Sequence, residues 1–244
     1  MKRPVVLTRP AGENEALAAR LEADGFEVFI RPLIELLDLE VTPQTRETVM
    51  NLDSYDRVIF VSKAAVKTGM TLFDRYWPVW PAAVTWLSVG GGTAELLKDW
   101  DIDARYPIQA GSEGLLALSA LTDVGNLNVL IVRGRGGREL LAETLRARGA
   151  VVDYLETYGR EPVKYNDWNI SQAPLIVVAT SVEIMECLTQ QAGVKPENID
   201  LIAASTRIAE AATRCGFGSL TNAGGASEQA LYDAVTALQQ LDQS

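Results

Sequence analysis

Leu130-Ile131-Val132-Arg133, followed by Glu139, Leu141, Ala142, Leu145, Gly149 and Val152, repeats an earlier stretch of the same chain: Val6-Leu7-Thr8-Arg9, then Glu15, Leu17, Ala18, Leu21, Gly25 and Val28. Every matched pair is 124 residues apart (133 − 9, 149 − 25, 152 − 28). Each copy reads as an apolar strand, a helix with leucines four apart on its inner face, a glycine stop and a second strand. That is a βαβ unit, and its crossover makes the two strands parallel.

Working outward, Val58-Ile59-Phe60-Val61-Ser62 corresponds to Ile176-Val177-Val178-Ala179-Thr180-Ser181, apolar strands that end on a hydroxyl residue opening a helix. Leu87-Ser88-Val89-Gly90-Gly91-Gly92-Thr93-Ala94-Glu95 corresponds to Ile202-Ala203-Ala204-Ser205-Thr206-Arg207-Ile208-Ala209-Glu210, and Ser112-Glu113 to Ser227-Glu228, all 115 apart (210 − 95, 227 − 112). The chain is a duplicated α/β unit, which predicts two related lobes, each a parallel sheet flanked by helices. Linkers are expected at 33–43 and 155–162. The halves could be successive domains, or the first βαβ could pair with the last three strands; periodicity leaves both open. Ligands of parallel sheets gather outside the carboxyl ends of the strands. Those ends carry Arg9, Ser62, Gly90, Arg133, Thr180, Ser181, Ser205 and Thr206, so a small-molecule cleft between the lobes is expected.

Composition narrows the function. With 48% hydrophobic and 22% charged residues over 244 positions, the chain can build real cores. Its apolar runs fall short of the roughly 20 residues of a membrane helix, and the N-terminus lacks the apolar core and cleavage site of a signal peptide. A cytoplasmic protein is expected. The net charge of −10 argues against nucleic acid and anionic membranes as partners, because both need clustered Lys and Arg. There is no histidine, and Cys187 and Cys215 form no C-x-x-C pair, so no Cys/His zinc site can be assembled and the two are expected to be buried or half-buried free thiols.

Lack of histidine also removes Ser-His-Asp and Cys-His machinery, and leaves acid chemistry to a tyrosine, a carboxyl or water. Tyr158, in the second linker beside Gly159-Arg160, stands out for that role. Gly90-Gly91-Gly92 and Gly134-Arg135-Gly136-Gly137 both fail the dinucleotide pattern, at Glu95 and Glu139; tight βα turns explain them, and no NAD, FAD or ATP is expected. Ser62, Ser181, Ser205 and Ser227 each stand at an expected helix start, where a hydroxyl caps orphan backbone N–H groups and the helix dipole favours an anion.

With its strand ends at Val61-Ser62 and Thr180-Ser181, its turns at Val89-Gly90 and Ser205-Thr206, and Tyr158-Gly159-Arg160, the chain resembles the uroporphyrinogen-III synthase family. Leu130 to Leu141 looks especially like the bacterial members. The resemblance implies flavodoxin-like lobes, one made of both chain ends (1–36 with 160–244) and one of the middle (37–159), joined by a two-segment extended linker that acts as a hinge. It implies a lyase of tetrapyrrole biosynthesis. Hydroxymethylbilane loses its terminal hydroxyl, closes through a spiro intermediate and becomes uroporphyrinogen III with its last ring inverted, without cofactor. Tyr158 would then assist departure of hydroxide. Ser62, Thr93, Ser181, Ser205 and Thr206 match hydroxyl positions lining the site; with Arg9, Gly90, Arg133, Arg138, Thr180 and Ser227 they are the expected binders of the anionic linear tetrapyrrole. A monomer in transient contact with the upstream hydroxymethylbilane synthase is expected. The rival of another class is a non-catalytic two-lobed binding module, which would close on its ligand without turnover. A receiver-like regulator would need an acidic cluster at strand ends, where Asp and Glu are scarce.

Overall fold

The repeated stretches take up matching elements in a computed structural model of the chain, which describes residues 2–137, 139–166, 168, 170 and 174–241. From the start the elements are β1 (Val5–Leu7), α1 (Glu15–Ala23), β2 (Val28–Ile30), β3 (Ile34–Asp38), α2 (Pro43–Met50), β4 (Arg57–Phe60) and α3 (Lys63–Asp74). Then come β5 (Thr85–Ser88), α4 (Gly91–Lys98), α5 (Ser112–Leu116), α6 (Ser119–Thr122), β6 (Asn128–Gly134), α7 (Leu140–Ala147) and β7 (Val151–Pro162). The remainder is β8 (Leu175–Ala179), α8 (Val182–Thr189), β9 (Ile199–Ala203), α9 (Thr206–Arg214), β10 (Ser219–Asn222) and α10 (Glu228–Leu241). Among the described residues no helix is long and apolar enough to cross a membrane.

The chain divides into two compact units, Met1–Glu35 with Glu161–Ser244, and Leu36–Arg160. The sheet of the first runs β10-β9-β8-β1-β2 and is parallel throughout. The sheet of the second runs β3-β7-β6-β4-β5. Repeat partners keep the same neighbours in the two orders, β1 and β6, β2 and β7, β8 and β4, β9 and β5, with β10 and β3 added at opposite ends. Registers agree residue by residue. Val5 pairs with Val28 as Val129 pairs with Val152, Val6 with Val177 as Leu130 with Val58, and Val178 with Ile202 as Ile59 with Leu87. The βαβ stretch comes first in the chain in one unit and last in the other, so the two units are circular permutations of one pattern.

Burial explains the repeat. Leu17, Ala18 and Leu21 of α1 are buried, as are Leu141, Ala142 and Leu145 of α7, each leucine contributing about 1.5–3 kcal/mol against exposure. Gly25 and Gly149 close these helices at φ of 79° and 89°, left-handed conformations that a side chain disfavours. In the second unit an aromatic group backs the sheet, with Phe60 stacked on Trp86 at 6.2 Å between ring centroids and Phe73 and Trp80 edge-on to Trp86.

The stretch read as the second linker, 155–162, forms the end of β7, which runs through Pro162; lack of a helical period there marks a strand. Its neighbour β3 is joined to it by Leu39 N–H to the Thr157 carbonyl (3.1 Å), with Val163 N–H to the Leu33 carbonyl (3.0 Å) beyond. Numbers rise along one strand as they fall along the other, so this edge pair is antiparallel in an otherwise parallel sheet. Of the two thiols, Cys187 is buried on the inner face of α8 as expected, but Cys215 follows the end of α9 and is exposed, which corrects the expectation of a buried or half-buried thiol there.

Candidate functional site

At the carboxyl edge of the second unit, β4 gives way to Ser62, whose extended backbone lets its hydroxyl accept from Ala65 N–H at 3.0 Å and so cap α3. The same hydroxyl lies 2.9 Å from the phenol oxygen of Tyr158. Tyr158 reaches it because β7 carries a bulge. Arg133 pairs with Glu156 but Gly134 pairs with Tyr158, leaving Thr157 as the extra residue. A regular strand would point Thr157 and Tyr158 to opposite faces; here both are buried, 3% and 1% exposed. Thr157 is fixed by a 2.5 Å bond from the Thr68 hydroxyl. The Tyr158 ring lies against Gly134, where a Cβ would stand 2.6 Å from a ring carbon, so no larger residue fits without displacing it. Arg160 donates from Nη2 to the Tyr158 oxygen at 3.2 Å, its guanidinium carbon 5.4 Å from the ring centroid.

Beside this trio the glycine run begins α4. A Cβ on Gly90 would come within 2.9 Å of the Ala110 methyl, one on Gly91 within 3.3 Å of the Tyr106 ring, and one on Gly92 within 3.3 Å of Lys63 Cε. A side chain at Gly90 would displace Ala110, while at Gly91 and Gly92 it would press on the Tyr106 ring and the flexible Lys63 side chain. Ser88 donates to the Gly90 carbonyl at 3.1 Å, and Thr93, one residue into the helix from Gly92, is buried.

Arg133 stands at the end of β6, 6% exposed. Its guanidinium donates to the carbonyls of Gly134 (3.2 Å) and Gly136, and to Glu139 Oε1 at 3.0 Å. It also lies over the Tyr154 ring, 4.7 Å from the centroid. Tyr154 donates its hydroxyl to Glu139. That bond first, and Arg133 after it, holds the Glu139 carboxyl below the ordinary carboxylate range, while burial and then Glu139 push the Tyr154 phenol up. Arg138 lies outside the described residues.

The first unit presents its own carboxyl edge. Arg9, after β1, pairs with Glu13 at 2.9 Å, and its carbonyl accepts from Asn14 Nδ2 at 2.7 Å. Ser181 caps α8 through Ile184 N–H at 3.0 Å, with half-buried Thr180 before it. Ser227 accepts from Ala230 N–H at 3.3 Å, at the start of α10. Ser205 departs from the capping expectation. Its backbone is extended like that of Ser62 and Ser181, but Ile208 N–H bonds to the Ser205 carbonyl at 3.0 Å, so the hydroxyl makes no cap. Thr206 is exposed and accepts from Asn222 Nδ2 at 3.1 Å.

The expected residues therefore fall into two groups, Ser62, Gly90, Thr93, Arg133 and Tyr158 on one unit and Arg9, Thr180, Ser181, Ser205, Thr206 and Ser227 on the other. Sequence reasoning passed over Arg160 and Lys63. Arg160 carried a signal, since residues two apart on a strand share a face and it follows Tyr158 at that spacing. Lys63 carried none, because its approach to Gly92 depends on how α3 and α4 pack.

A family model described as uroporphyrinogen-III synthase HemD matches residues 15–233. The uroporphyrinogen-III synthase of Salmonella typhimurium is 32% identical over 247 residues, 95% of this chain and 99% of the relative. That of Proteus mirabilis is 37% identical over 163 residues, 66% of this chain and 82% of the relative. Among solved structures, a mutant uroporphyrinogen III synthase from Thermus thermophilus superposes with a TM-score of 0.65 at 19% identity, covering 97% of this chain and 99% of the other. The uroporphyrinogen-III synthetase of Helicobacter pylori gives 0.64 at 16% identity, covering 97% and 99%. At those identities the structures speak for a shared fold.

Proposed function

The chain belongs to the uroporphyrinogen-III synthase family, and we propose that it handles the proton of the family's reaction through Ser62, Tyr158 and Arg160. The enzyme cyclises hydroxymethylbilane to uroporphyrinogen III, a lyase reaction of tetrapyrrole biosynthesis. The hydroxymethyl C–O bond breaks and water departs. The substituted carbon of the last ring attacks to form the spiro intermediate, which fragments and recloses with that ring inverted. The departing hydroxide needs a proton, and the proton lost at final closure restores the donor.

The observation that carries the reading is the hydrogen-bonded line from Arg160 to Tyr158 to Ser62. Tyr158 is too buried to meet a large substrate with its ring, but its hydroxyl adjoins half-buried Ser62, which passes the proton outward. Arg160 donates to the phenol oxygen and stabilises the charge left behind, as a charge-assisted bond does. Arg9, Gly90, Thr93, Thr180, Ser181, Ser205, Thr206 and Ser227 are read as binding the substrate carboxylates with hydroxyls and backbone amides, the uncapped start of α9 at Ser205 being especially suited. The extended segments around β3 and the end of β7 are read as the hinge. Uncatalysed closure gives the uninverted isomer, so folding the substrate is part of the work. A substrate that closes by itself rewards short transit, which supports a cytoplasmic monomer in passing contact with hydroxymethylbilane synthase. The binding-module alternative is not favoured, because the chain aligns with a named synthase over 95% of its length.

The test is to generate hydroxymethylbilane, add purified protein without cofactor, oxidise the products and separate isomers. The wild type is expected to give mainly type III. Tyr158→Phe is expected to keep the fold and lower kcat several-fold, about 3–10-fold, less than the roughly 10²–10⁴-fold of a full acid contribution because water can take over the proton. An unchanged rate would remove Tyr158 from the acid role, and type I alone from active wild-type protein would end the synthase reading.

A further inference from the structure

Arg133, expected among the substrate binders, is 6% exposed, and its guanidinium bonds to Gly134, Gly136 and Glu139. The turn that follows β6 is wrapped around that side chain. A Cβ on Gly137 would lie 2.9 Å from Arg133 Nη2, so the glycines of the turn close directly on the guanidinium. The turn holds β7 at the point of the bulge. Gly134 bears on the Tyr158 ring, Arg135 N–H bonds to the Tyr158 carbonyl at 2.7 Å, and Gly136 N–H bonds to Glu156 Oε1 at 3.3 Å.

We infer that Arg133 is a positioning residue: the buried post that shapes the Gly134–Gly137 turn and, through Gly134 and Arg135, holds the Tyr158 hydroxyl against Ser62. An acid group moved out of reach loses as much rate as one removed, so a residue that does not touch the substrate has leverage here. The inference about rate rests on the reading of Tyr158 as the proton donor; the inference about placement does not.

The experiment compares Arg133→Met, Tyr158→Phe and the double variant of the full chain for kcat and KM, and follows amide hydrogen exchange at Arg135 and Tyr158. Arg133→Met is expected to lower kcat by about 3–10-fold, and by no more than Tyr158→Phe does, with KM within about twofold of wild type, the pattern of a lost transition-state interaction. The double variant is expected within about twofold of Tyr158→Phe alone, because both changes act on one hydroxyl. Exchange at Arg135 is expected to rise at least about tenfold, as its bond to Tyr158 loosens. A raised KM with unchanged kcat, or effects that multiply in the double variant, would assign Arg133 to substrate binding and overturn the inference, as would unchanged exchange. If Tyr158→Phe retains wild-type turnover, the acid reading falls, while exchange alone still decides the placement. Gly134→Ala, which leaves Arg133 intact and intrudes on the Tyr158 ring, is the second variant should Arg133→Met not fold, and it is expected to lower kcat with KM kept; wild-type kcat from it would also overturn the inference.

Discussion

Glu139 accepts from Tyr154 and from Arg133, and those two bonds hold its carboxyl below the ordinary range. A carboxyl depressed in the folded state adds stability that is complete above its unfolded value, about 4.3, and is lost as pH falls through the depressed one. Glu139→Gln is therefore expected to lower Tm at neutral pH, by about 1–3 °C because half of this side chain faces solvent. The gap to wild type should close as the pH is taken below about 4. Thermal unfolding followed by circular dichroism at pH 7, 5 and 3.5 reads both; a gap that widens in acid would mean that Glu139 is not the depressed group. Ser62 was legible as a hydroxyl at a strand end, and Tyr158 as a tyrosine beside Gly159-Arg160 in a chain without histidine. Their bond to each other was not, because a period of two cannot announce the bulge that turns Thr157 and Tyr158 to the same side. The burial of Arg133 was not legible for a related reason: that the turn glycines close over its guanidinium depends on the fold and not on their spacing.

Helix starts show what a repeat does and does not carry over. Ser62, Ser181 and Ser205 share extended backbone angles, but the first two bond through the hydroxyl and the third through its carbonyl. Ser181→Ala is expected to cost about 1 kcal/mol in chemical denaturation, whereas Ser205→Ala should stay within about 0.5 kcal/mol of wild type and show its effect in KM for hydroxymethylbilane. Equal losses of stability would mean that Ser205 also caps. Strands were easier to read than the segments between them. Apolar runs such as Val58-Ile59-Phe60 and Ile176-Val177-Val178 admit one assignment once they recur beside helices of matching period. The end of β7 and all of β3 lack that support, and their antiparallel pairing is a long-range bond with no local pattern to reveal it.

At the scale of the whole chain, one unit is continuous and the other is not. Leu36–Arg160 contains nearly every strand residue of its own sheet, so a fragment of these residues is expected to fold and to unfold cooperatively in urea. Deleting residues 1–35 removes β1 and β2 from beside β8 and should abolish the folding of the discontinuous unit while sparing the other; a single calorimetric transition lost entirely on deletion would show that the units do not fold independently. The permuted order was the one topological question that periodicity left open, since a repeat states which strands correspond and not which neighbours they choose. It also sets a timetable at the ribosome. β1 gains β2 at once, but its other neighbour, β8, begins about 140 residues after the first segment is complete (175 − 35). At about 5–20 residues per second that is a wait of about 7–28 s. Throughout it a strand of Val5, Val6 and Leu7 keeps one hydrogen-bonding edge open while the unit behind it closes, which makes the amino-terminal segment the part of the nascent chain with most need of a chaperone.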